Sequence, residues 1–150
     1  MSKFKFRLAT LLRLREQTRD ERRLELAAAY RVDDVLNRQL QRMEMELGRL
    51  WSECRKTAGP GEVNVDRLVE MQRYELTVKV QQSQVIRQRE GVRAEIERRH
   101  QTLLEANREV RVLENLRDKQ AAQHRQDEDY RERKRLDEVA QQQAIREVVR

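Results

Sequence analysis

From residue 8 onward, seam positions recur at alternating spacings of four and three. They are Leu8, Leu12, Arg15, Arg19, Arg22, Leu26, Ala29, Asp33, Leu36, Leu40, Met43, Leu47, Leu50 and Cys54, ten of them apolar. A second frame runs Leu68, Met71, Glu75, Val78, Gln82, Val85, Arg89, Val92, Ile96, Arg99, Leu103, Ala106, Val110 and Leu113, again ten of fourteen. Alternation sustained over six heptads is the pattern of helices that wind around a partner, because 3.5 residues per turn keeps one stripe facing it. Between the frames lie Gly59, Pro60 and Gly61, three of the five Gly and Pro residues in the chain. Helix breakers are otherwise nearly absent, which predicts helices over about 4–56 and 65–148 around a turn at 57–64. Asn64 or Asp66 can cap the second helix, since a short acceptor side chain satisfies free first-turn amides.

A turn this short makes the helices antiparallel neighbours. Folding the chain there sets Leu12 on Val110, Leu26 on Ile96, Leu36 on Val85, Met43 on Val78 and Cys54 on Leu68; paired numbers sum to 121 or 122. The expected fold is therefore all-α, one antiparallel coiled-coil hairpin over residues 1–150. Asp33 falls opposite Arg89, an acid and a base in one layer; such a polar layer costs stability but can fix register and orientation. Arg22 falls opposite Arg99, with Arg15 and Arg19 close by. Long arginine side chains can snorkel to water, or such a layer can face an acidic partner.

Beyond Leu113 the frame reads Arg117, Gln120, His124, Asp127, Arg131, Lys134, Glu138 and Gln141. The second helix thus extends beyond the first as an unpaired polar segment, 117–150, projecting roughly 45 Å. An isolated polar helix is marginal in water, so this segment is expected to fold onto something else.

Composition narrows the function. Charged residues make up 40% of the 150, aromatics 4%, and the net charge is +6. Such a chain has no ordinary globular core, only a stripe. The basic balance permits nucleic acid or an acidic membrane as partner, but both signs interleave, as on solvated helix faces. One cysteine excludes an internal disulfide framework and fits a reducing compartment. The first thirteen residues hold too short an apolar run for a secretion signal. Neither His100 nor His124 has a second ligand type at metal-binding spacing, no glycine-rich phosphate loop is present, and Asp127, Glu128 and Asp129 diverge around a helix. A two-helix hairpin offers no concave site for catalysis. No enzyme, metal or cofactor is expected. Trp51 and Tyr74 flank the seam near the turn, as cover or as docking anchors.

The two ends resemble the flagellar export protein FliJ family. Residues 4–16, FKFRLATLLRLRE, are similar to that family's opening pattern of an apolar helix with LLxLRE. Residues 109–142 resemble its closing pattern, with LDEVAQ after a basic run and an upstream Tyr-Arg pair. The resemblance implies a cytoplasmic protein, associated peripherally with the cell membrane at the flagellar base through its partners. It would be a stalk-like adaptor whose termini-bearing end enters the hexameric flagellar export ATPase. Its body would contact the membrane export-gate protein, and some members also handle export chaperones. On this resemblance Arg131, Arg135, Leu136, Asp137 and Glu138 face the ATPase, while Trp51, Tyr74 and Gln81 face the gate. The competing readings are a basic coiled coil that binds nucleic acid, and a scaffold of paired hairpins burying Leu24, Val32 and Val35. Neither a basic face interleaved with aromatics nor a basic region leading into a parallel zipper supports the first.

Overall fold

A computed structural model describes residues 3–148. It contains two helices, α1 (Ala9–Thr57) and α2 (Val65–Val148), and no strand among the described residues. At the turn, the amides of Ala58 and Gly59 donate to the carbonyls of Cys54 and Lys56 at 3.0 and 3.3 Å, closing α1. Gly61 then takes φ +142°, a region that L side chains rarely enter. Asn64 is the cap of α2: its Oδ1 accepts the amide of Arg67 at 3.1 Å. The two helices form a hairpin, and the chain divides into two compact units. One comprises Met1–Asp20 with Leu104–Arg150, the other Glu21–Leu103.

In the unit Glu21–Leu103 the buried apolar side chains are Leu26, Ala29, Leu36, Leu40 and Leu47 from α1 with Met71, Val78 and Val85 from α2. All occupy the seams read from the sequence. Leu36, Leu40 and Val85 form one cluster, with Met43 and Val92 packed against it. Each such leucine contributes about 1.5–3 kcal/mol by leaving water. Near the turn the Cys54 thiol donates to Met71 Sδ at 3.3 Å, so Cys54 acts as a half-buried seam residue. The Arg89 guanidinium donates to both oxygens of Asp33, at 2.8 and 3.4 Å.

The arginine layer resolves without a second chain. Arg99 donates to Glu95 at 2.8 Å and to the backbone carbonyl of Glu25 at 2.6 Å. Arg22 donates to both oxygens of Glu25 at 3.1 and 3.0 Å. Each guanidinium leaves the seam for a neighbouring acceptor, which is snorkelling.

The unit Met1–Asp20 with Leu104–Arg150 buries Leu12, Ala106 and Val110, Val110 being 2% exposed. Arg15 stays exposed on the surface and pairs with Glu109 at 3.1 Å. Two expectations need correction here. The first helix was set to begin near residue 4, but α1 begins at Ala9. Residues 3–6 carry no helix and residues 7–8 form a turn, with the Ala9 amide donating to the Phe6 carbonyl at 3.2 Å, and Leu8 is exposed. An extended chain advances about 3.3 Å per residue against about 1.5 Å in a helix. From Ala9 back to Phe4 the chain is a turn followed by non-helical residues, so it reaches further along α2 than a helix of that length would. Phe4 accordingly meets His124, ring centroids 5.7 Å apart, where helical register would have set it near residue 117.

The second correction follows from the first. The polar extension was expected to lose its cover at residue 117. Ala121, His124 and Glu128 are instead half-buried, and exposure becomes continuous only over residues 129–148. The half-buried stripe steps Leu113, Arg117, Ala121, His124, Glu128, while the expected seam sites Gln120 and Asp127 are exposed. Two successive steps of four insert an extra four-residue spacing into the alternation, a stutter that locally unwinds the supercoil.

Candidate protein-binding surfaces

Two surfaces carry the residues singled out from the sequence. The first is the exposed end of α2. Arg131, Arg135, Leu136, Asp137 and Glu138 are all exposed. At 100° per residue, Arg131, Arg135 and Glu138 share one face, while Leu136 and Asp137 turn away from it. That face continues the stripe of Ala121, His124 and Glu128 with spacings of three and four. The seam thus runs on past its cover and changes from half-buried to charged. Arg131 donates to Glu128 at 3.4 Å, one turn back. His124, Arg125, Glu128, Arg131, Arg135 and Leu136 line one shallow depression, which joins the covered and uncovered parts of the stripe.

The second surface lies near the turn, in the other unit. Tyr74 is exposed, and its hydroxyl donates to Glu46 across the helix pair. That bond to a carboxylate, with a smaller push from desolvation, holds the Tyr74 phenol above its usual range. Gln81 lies one heptad further along α2 on the same flank. With Gln39, Arg42, Glu46, Gln84 and Gln88 it lines an open groove floored by Met43 and Val85. Every polar group there can donate or accept, so the groove suits a peptide backbone or a polar side-chain row.

Trp51 does not join them. Its ring carries Lys79 at 5.9 Å from the centroid, and Lys79 pairs with Glu75 at 2.5 Å. Glu75 is held below its ordinary value first by Lys79 and then by a hydrogen bond from Trp51. Trp51 sits one residue past seam position Leu50 and Tyr74 one residue before seam position Glu75. In an antiparallel pair those positions border opposite flanks. The three residues grouped from the sequence are therefore two plus one.

The sequence pattern singled out neither Glu46 nor Lys79, which hold the aromatic side chains across the pair, and gave Glu75 only a seam position. Cross-helix partners beside a seam leave no periodic mark. Sequence reasoning also read residues 4–8 as helix, although Lys3-Phe4-Lys5-Phe6-Arg7 alternates with period two, the signal of an extended segment. Elsewhere the basic side chains are distributed among acids. Arg38 pairs with Asp34 at 2.7 Å, and Arg98 and Arg99 pair with Glu95 at 2.5 and 2.8 Å. No group of three metal-ligating side chains occurs among the described residues, and none of their helices is long and apolar enough to cross a membrane.

A family model described as Flagellar FliJ protein matches residues 4–148. Against curated proteins and against solved structures the chain finds no match.

Proposed function

The chain belongs to the flagellar FliJ protein family, and from that premise we propose that it is a non-enzymatic adaptor of flagellar protein export with two partner surfaces. Membership implies the export-related role; the partners and residues are our reading. The C-terminal part of α2 binds the hexameric flagellar export ATPase through Arg131, Arg135 and Glu138, with Leu136 and Asp137 on adjoining faces. Tyr74 and Gln81 contact the membrane export-gate protein, and Trp51 adds to that contact from the other flank. Export chaperones are further partners. The protein works in the cytoplasm and meets the membrane only through these partners.

One observation carries this reading: residues 129–148 are helical and exposed throughout. Twenty residues of unsupported polar helix gain no tertiary packing, and such a helix is marginal in water. A binding partner supplies the missing face. A chain ending after Glu128 tests it. That chain is expected to lose ATPase binding in a pull-down while keeping its helical hairpin by circular dichroism. Undiminished binding would remove the ATPase assignment.

A further inference from the structure

Phe4 and Phe6 are both half-buried, while Lys3, Lys5 and Arg7 are exposed. That alternation is the one a strand-like backbone gives, where successive side chains turn to opposite sides. The segment therefore has an apolar edge toward α2 and a basic edge outward. The Phe4 and His124 rings meet at an interplanar angle of 60°, a tilted contact of the kind ring quadrupoles favour. Cover on α2 continues to Glu128, past the start of α1, and ends there.

We propose that residues 3–7 form an aromatic strap that clamps α2 at His124 and so positions the uncovered helix that follows. Helix α1 begins only at Ala9, so without the strap α2 would lose its cover well before His124. A polar helix that loses cover frays from the point of loss. The strap moves that point outward and shortens the stretch a partner has to order on binding. Ordering fewer residues leaves more of the interaction energy for affinity. Phe4 and Phe6 are positioning residues here, acting through α2. The clamp stands on geometry alone; its consequence for affinity rests on the ATPase reading above.

Hydrogen exchange on the full chain tests the clamp. In a Phe4→Ser/Phe6→Ser variant, amides of residues 113–128 are expected to exchange about tenfold faster, with the Leu36–Val85 cluster unchanged. A Phe4→Leu/Phe6→Leu variant is expected to restore most of the protection. Unchanged exchange in the Ser variant overturns the strap. Should that variant unfold globally, the carbon-bound imidazole protons of His124 decide. Their ring-current shift is expected to vanish in Phe4→Leu and persist in Phe4→Tyr, and a shift that survives Phe4→Leu overturns the contact. Affinity for the export ATPase is expected to fall about fivefold in the Ser variant and recover in the Leu variant. Faster exchange with unchanged affinity overturns the positioning role. A wild-type chain that does not bind the ATPase overturns the function proposed above, and exchange then judges the clamp by itself.

Discussion

Asp33 and Arg89 put one complementary pair of charges into the α1–α2 seam. The Arg89 hydrogen bonds hold the Asp33 carboxyl below its ordinary value, against a smaller opposing push from desolvation. A carboxyl depressed in the fold stabilises it fully above the unfolded value, about 4. That contribution disappears as pH falls through the lower folded value. The thermal midpoint of the wild type is expected to drop on acidification below about pH 4, and that of Asp33→Asn to drop less. Scanning calorimetry at a series of pH values checks this. Reversing one charge, as Asp33→Arg, sets two cations in one layer and should lower the midpoint; adding Arg89→Asp should recover part of the loss. The apolar layers obey a different rule. Leu40→Ala is expected to cost about 2–5 kcal/mol in urea melts, because it opens a cavity in the Leu36–Leu40–Val85 cluster. Leu136→Ala, at an exposed site, should stay within about 0.5 kcal/mol. If Leu136→Ala nevertheless weakens ATPase binding, its side chain serves a partner and not the fold.

Among the elements, the turn of the hairpin makes a simple prediction. Asn64→Ala removes the side-chain acceptor for the Arg67 amide and should cost about 1 kcal/mol of stability, read from the same melts. Much of the pairing of α1 with α2 was legible because a coiled coil writes its contacts into sequence period. Every buried apolar residue lies on a seam position readable beforehand. Three things were missed. The reach of residues 3–7 was missed because counting by heptads assumes one helical rise per residue, although the period-two alternation of these residues stands in the sequence. The frame shift after Arg117 was hidden because neither Gln120 nor Ala121 is apolar enough to declare itself. The separation of Trp51 from Tyr74 was overlooked because nearness to the turn stood in for position around the helix. The exposed length of α2 belongs to the same scale. Amides of residues 129–148 should exchange much faster than those near Val110 in the free protein, and slow when the export ATPase is added.

At the scale of the whole molecule, family membership implies a role in flagellar protein export. Division of labour is the proposed mechanism: a charged stripe on the end of α2 for the ATPase, and the Tyr74–Gln81 flank for the gate. The two surfaces belong to different compact units, so each can be altered without touching the other's packing. The most direct measurement is therefore affinity for both partners in two variants, Arg131→Glu/Arg135→Glu and Tyr74→Ala/Gln81→Ala. The account predicts that the first loses the ATPase and keeps the gate protein, and that the second does the reverse. Loss of both partners in either variant, or of neither in both, would contradict it.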